Sequence, residues 1–197
     1  MNRPTARRAA VAVAAGLALP LTAALPAHAA DSTVTEAQWL SDVAAVTGPA
    51  QSYLDSRAAA NTSGARLAIV LDIDNTALAS HFEGGYPTPA TAPVLTLAQD
   101  AHAKGISVFF VSARPNLIDL TTKYNLTQVG YTVDGLYTRS LGEIIGKSVA
   151  DFKTAQRRTI EANGYDIVAN IGNNTTDLTG GYADTTYKLP DYDGLLD

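Results

Sequence analysis

The sequence contains no cysteine, one tryptophan and one methionine. Without thiols there is no disulfide framework, no thiolate nucleophile and no zinc–thiolate centre, so stability has to come from a packed core. A positive balance is also missing: 14 basic residues stand against 19 acidic ones, a formal charge of −5. An acidic body disfavours the phosphate backbone of nucleic acids, and no nucleic-acid partner is expected. Beyond the first thirty residues no apolar run approaches the roughly 20 residues a membrane span needs. What remains, 197 residues of which 46% are hydrophobic and 17% charged, suits one domain with its own core.

The start of the chain differs from the rest. Arg3, Arg7 and Arg8 precede an apolar run from Val11 to Leu25 that Pro20 interrupts, and Ala27-His28-Ala29 follows. A basic start, a short apolar run and a small-x-small site predict a secretory signal peptide over 1–29, cleaved near Ala29. The protein is then secreted and keeps no stable membrane anchor. Losing three arginines leaves 11 basic residues against 19 acidic ones, a formal charge of −8. The sequons at Asn61, Asn125 and Asn173 read as chance matches.

After the leader, residues 30–64 predict a helical segment packing on the core. Its apolar positions Trp39, Val43, Val46, Tyr53 and Leu54 are broken at Gly48-Pro49 into two short helices. Residues 65–197 alternate in type. A continuous apolar run of strand length lies at Leu67–Leu71, further buried strands are expected at Ile106–Val111 and Ile167–Ile171, and a short strand at Gly135–Tyr137. Helices are expected over Pro93–Lys104, Asn116–Val129 and Val149–Asn163, the last stopped by Gly164. Residues 79–93, with two glycines and three prolines, form a loop. The alternation predicts an α/β fold, a doubly wound and mostly parallel sheet with helices on both faces, whose sites lie beyond the carboxyl ends of the strands.

Three buried runs end in polar clusters: Asp72-Ile73-Asp74, Ser112-Ala113-Arg114, and Gly172-Asn173-Asn174 with Asp177 close behind. Residues two apart on an extended segment face the same way, so Asp72 and Asp74 project together and repel unless a cation neutralises them. Oxygen donors of this kind suit Mg²⁺, which usually shares its shell with substrate phosphate. The Asp-x-Asp-Asn pattern is also half of an EF-hand loop, but Ala77 stands where that loop needs glycine, and a strand precedes it. Asp74 or Thr76 read alone is as well a cap for the following turn.

Four stretches in order, "DIDNTA" (72–77), "FFVSARP" (109–115), "FKTAQRR" (152–158) and "NGYDIVANIGNNTTDLTGG" (163–181), resemble the four motifs of the haloacid dehalogenase (HAD) superfamily. The nearest likeness is to its secreted acid phosphatase branch, subfamily IIIB, which includes class B and C acid phosphatases and plant vegetative storage proteins. The resemblance implies a HAD-like Rossmannoid fold with a small cap insertion at 79–93. It implies that Asp72 is a nucleophile taking the phosphoryl group as an aspartyl phosphate, and Asp74 a general acid and then base. It places Thr76, Ser112 and Lys153 around the phosphate, with Lys147 a rival for the lysine, and Mg²⁺ among Asp72, Asp74, Asn173 and Asp177.

Arg114 reads equally as a phosphate contact or a loop brace. The fourth motif departs from the family, which writes Gly-Asp where this chain has Gly172-Asn173. The function implied is hydrolysis of small phosphomonoesters, with His81, Phe82 and Tyr86 either touching a leaving group or packing the loop. Asn173 motivates the alternative, a binding or storage protein of this fold with little turnover. A phosphotransferase would use the same residues.

Overall fold

The computed structural model describes residues 34–196; the signal-peptide expectation for 1–29 lies outside them. Helix α1 (Glu36–Ala60) leads into strand β1 (Arg66–Leu71), followed by α2 (Ala92–Ala103) and β2 (Ser107–Pro115). A 3-10 turn (Asn116–Ile118) opens α3 (Asp119–Gln128), before β3 (Gly135–Arg139), α4 (Leu141–Gly146) and α5 (Val149–Ala162). Strand β4 (Tyr165–Gly172), the one-turn α6 (Thr175–Leu178) and β5 (Thr185–Lys188) complete the order. The five strands form one sheet in the order β3-β2-β1-β4-β5, every pair parallel.

The chain therefore winds outward from β1 through β2 to β3, then returns to the other side of β1 for β4. The carboxyl ends of β1 and β4 flank the point where the order reverses, and there a parallel sheet opens a crevice. Both faces are covered. Along β1, Leu67, Ile69 and Leu71 pack into one core with residues of α1, α2 and α3, whereas Ala68 and Val70 face a second core with Phe152 and Ile160 of α5. Period-two alternation sends a uniformly apolar strand into both.

The expected break at Gly48-Pro49 is corrected: α1 is one helix of 25 residues with Pro49 inside it. Pro49 removes one main-chain hydrogen bond, yet Trp39, Val43, Thr47, Ala50 and Leu54 form a buried stripe that continues past it. Burying those side chains outweighs the local preference to stop. Strand β5 and helix α4 had no counterpart in the sequence reading. The four residues of β5 alternate between half-buried and exposed and carry no apolar run.

The loop 79–93 is pinned at its base by Ala79 N–H to Pro89 O (2.9 Å) and Thr91 N–H to Ala77 O (2.9 Å). Phe82 stacks on the buried Trp39 with ring centroids 4.9 Å apart, and His81 meets Phe82 edge-on. Tyr86 stacks on Tyr124 and donates to Thr121 O. Helix α1 thus clamps the cap loop through Phe82, while His81 and Tyr86 stay largely exposed. The buried Asn125 and Asn173 are engaged in side-chain hydrogen bonds, in keeping with sequons that match by chance.

Candidate active site

At the switch point lies a cavity of about 240 Å³ lined by Asp72, Asp74, Ser112, Lys153, Asn173 and Asp177, among others. Asp72 directly follows β1, its N–H bonded to Ile171 O of β4 at 3.0 Å. Asn75 then adopts a left-handed conformation (φ 53°) and turns the chain, leaving Asp74 at the rim. Asparagine tolerates that conformation better than most residues.

Lys153, one turn into α5, is buried between two carboxylates, with Nζ 2.5 Å from Asp72 Oδ1 and 2.5 Å from Asp177 Oδ1. One cation between two buried anions leaves a net negative charge. Burial first, and then the Asp177 charge, push the Asp72 carboxyl up to about 7 despite the ammonium beside it. Burial works against the Lys153 charge, but the two carboxylates outweigh it and hold the ammonium protonated. Lys147 lies on the surface 3.4 Å from Glu143 and takes no part.

Asp177 is fixed from both sides, since its Oδ2 accepts the Asn174 N–H at 2.8 Å in a capping box that starts α6. The approach is close enough that a Cβ on Gly172 would sit 2.2 Å from Asp177 Oδ2, so only glycine fits there. Asn170 and Arg157 support the same turn by donating to Asp177 O at 2.8 and 2.6 Å. Arg157 is fully buried, also donates to the carbonyls of Gly181 and Thr179, and was missed in the sequence. Its spacing of four from Lys153, which puts both cations on one helix face, was the available signal.

Asp74 has a different environment. Arg114 grips it with two parallel bonds, Nε to Oδ2 at 2.9 Å and Nη2 to Oδ1 at 2.7 Å, and Ser80 Oγ donates to Oδ1 at 2.7 Å. Partial burial pushes this carboxyl up, but Arg114 and Ser80 outweigh that and hold it below the usual carboxylate range. Arg114 is therefore a brace on the acid/base candidate. Beyond it lies a second cavity of about 440 Å³, lined by Tyr86, Thr88, Ile118, Thr121, Thr122 and Asn125.

Thr76 takes a different place from the one expected. Its hydroxyl accepts the Asn173 N–H at 3.0 Å and donates to Asn173 Oδ1 at 3.1 Å, so its one proton is committed and none remains for a phosphoryl oxygen. Thr76 ties the first motif to the fourth. Ser112 is buried on the cavity wall, and its Oγ accepts the Arg114 N–H at 3.2 Å, which leaves its proton to donate.

No cluster of three or more His, Asp or Glu side chains arranged for a metal occurs among the described residues. Asp72, Asp74 and Asn173 are the oxygen-bearing residues of this lining that would hold a cation. Few protein oxygens around uncompensated negative charge suit a divalent cation that keeps several waters. Asp177 Oδ1 accepts from Lys153 Nζ and Oδ2 from the Asn174 N–H, so in this structure Asp177 holds Lys153.

Residues 82–195 match the HAD superfamily, subfamily IIIB (Acid phosphatase), a range that begins just after the turn carrying Asp72 and Asp74. Two curated soybean (Glycine max) proteins are similar over 89 residues at 33% identity. The Stem 28 kDa glycoprotein match covers 44% of this chain and 35% of the relative; the Stem 31 kDa glycoprotein match covers 44% and 31%. The chain thus spans about a third of the length of these relatives. The class C acid phosphatase from Bacillus anthracis shares the fold, with a TM-score of 0.57 and 23% identity over 74% of this chain and 67% of that one. A tungstate-bound form of that enzyme has the same TM-score and identity, covering 75% and 68%.

Proposed function

The chain belongs to the HAD superfamily, subfamily IIIB, and from that premise we propose that it is a secreted, Mg²⁺-dependent acid phosphatase hydrolysing small phosphomonoesters. The observation that carries the reading is the convergence of Asp72, Asp74, Ser112 and Lys153 on one cavity at the switch point of the sheet. Its occupant is a phosphoryl group, of the tetrahedral oxyanion class that tungstate represents in the solved relative. The basic start and apolar run of residues 1–29 support export.

Asp72 attacks phosphorus and the bond to the leaving oxygen breaks, giving an aspartyl phosphate and a leaving alkoxide. Asp74 gives its proton to that alkoxide, then takes one from the water that hydrolyses the acyl phosphate and restores Asp72. Lys153 offsets negative charge on Asp72 and the phosphoryl oxygens, and the Ser112 hydroxyl donates to one of them. Mg²⁺ held by Asp72, the Asp74 carbonyl and Asn173 would supply further charge neutralisation and orient the phosphoryl group. In the free protein Arg114 keeps Asp74 deprotonated, so an entering phosphate that competes for the guanidinium raises the proton affinity of Asp74 where an acid is needed.

Release of p-nitrophenol from p-nitrophenyl phosphate with Mg²⁺ tests this reading. Asp72→Asn should abolish turnover, and undiminished activity would refute the mechanism. A second reading, a protein of this fold with little turnover, is favoured by the neutral Asn173 and its commitment to Thr76. It predicts no release from sugar, nucleoside or aryl phosphates at any Mg²⁺ concentration.

A further inference from the structure

The last described residues return to the site. Leu189 N–H bonds Gly172 O at 2.9 Å, and Tyr192, Asp193 and Gly194, at φ of 50°, 56° and 89°, reverse the chain. Leu196 comes back fully buried on the cavity wall beside Asp72. Tyr192 OH, bonded to Asp42 Oδ2 at 2.7 Å, moors the same turn to α1. The Leu196 carbonyl accepts two side-chain amides, Asn75 Nδ2 at 2.7 Å and Asn173 Nδ2 at 2.9 Å.

These bonds form a chain with no freedom in its polarity. The His81 N–H can only donate, and at 2.7 Å it meets Asn75 Oδ1, which turns the Asn75 NH₂ toward Leu196. The Leu196 carbonyl can only accept, so the Asn173 NH₂ must face it too, and Asn173 Oδ1 is left toward Thr76. Both lone pairs of the carbonyl are then used.

We infer that Leu196 is a positioning residue, whose main-chain carbonyl fixes the amide of Asn173 with its oxygen toward the first motif, so that Asn173 and the 189–196 turn form one unit. The role toward Mg²⁺ rests on the function proposed above; the latch itself does not. It gives a physical reason for asparagine where the family usually has aspartate. A carboxylate at 173 would set a second acceptor against a carbonyl that cannot donate, so Asn173→Asp releases the turn instead of restoring a missing ligand.

Hydrogen exchange in the full chain, without metal or substrate, tests the latch. The Leu195 and Leu196 amides, bonded to Tyr192 O and Asp191 O, report on the turn. In Asn173→Asp their exchange should speed by about tenfold, and in the wild type the Asn173 NH₂ should exchange more slowly than that of the half-exposed Asn61. Exchange within twofold of wild type in Asn173→Asp, or an unprotected Asn173 NH₂, overturns the latch.

Asn75→Asp keeps the acceptor for His81 but removes one donor to Leu196. It should raise the Mg²⁺ concentration for half-maximal activity several-fold while kcat at saturating Mg²⁺ holds. A released turn with an unchanged Mg²⁺ requirement overturns the positioning role. A wild type that shows the protected latch but no phosphatase activity supports the latch and refutes the functional reading alone.

Discussion

Asp72 and Asp74 lie two residues apart and sit in opposite electrostatic surroundings. Asp72 is buried against Lys153 and a second carboxylate, and its affinity for a proton is raised. Asp74, at the rim, has a side chain 44% exposed, is held by the Arg114 fork, and has its affinity lowered. The chemistry proposed asks for the reverse, an ionised nucleophile and a protonated acid. The difference teaches that the free site is not poised: a cation at the buried cluster and a phosphate at the rim would each move one aspartate toward its working state.

The sharpest way to break the comparison is to remove each cation in turn. Lys153→Met takes the shared cation away from two buried carboxylates and should lower urea-unfolding stability by about 3–5 kcal/mol. Arg114→Met, at a half-buried pair nearer the solvent, should cost less, about 1–2 kcal/mol, and raise the pKa of Asp74. Equal losses would show that the two sides do not differ as described.

Second to Lys153 in size is Gly172→Ala, whose added carbon meets Asp177 and should cost about 1–3 kcal/mol while loosening Lys153. The pH dependence then separates the two aspartates by sign. Because folding raises the Asp72 pKa, the folded chain holds the proton more tightly than the unfolded one, so metal-free stability falls as pH rises from the ordinary carboxylate value toward about 7. Asp74 contributes in the other direction, stabilising above the ordinary value and losing that as pH falls through its lowered pKa. Melting temperatures in chelator from pH 5 to 8 should therefore decline, and Asp72→Asn should flatten the slope. The smallest effect belongs to Lys147→Ala, which should change stability by under about 0.5 kcal/mol and leave KM unaltered, in contrast to Lys153.

Much of this was legible before folding. The apolar-rich stretches at Leu67–Leu71, Ile106–Val111 and Ile167–Ile171 became three adjacent strands of the sheet, because a strand covered on both faces needs a largely apolar run. The polar clusters at their ends marked the crevice. What misled was local: Pro49 suggested a break that the buried stripe of α1 overrides, and Thr76 was placed on the phosphate when its single proton goes to Asn173. Strand β5 was invisible because an edge strand without an apolar run carries no periodic signal.

By itself the sequence determined the alternation of strands and helices and the pair of aspartates at the end of β1, since periodicity and spacing along the chain are local properties. Only the tertiary structure decided that Lys153 lies between two carboxylates, that Arg114 clamps Asp74, and that the carbonyl of Leu196 orients Asn173. Each of these joins positions dozens of residues apart, and hydrogen-bond polarity between such positions becomes defined only when the fold brings donor and acceptor within about 3 Å.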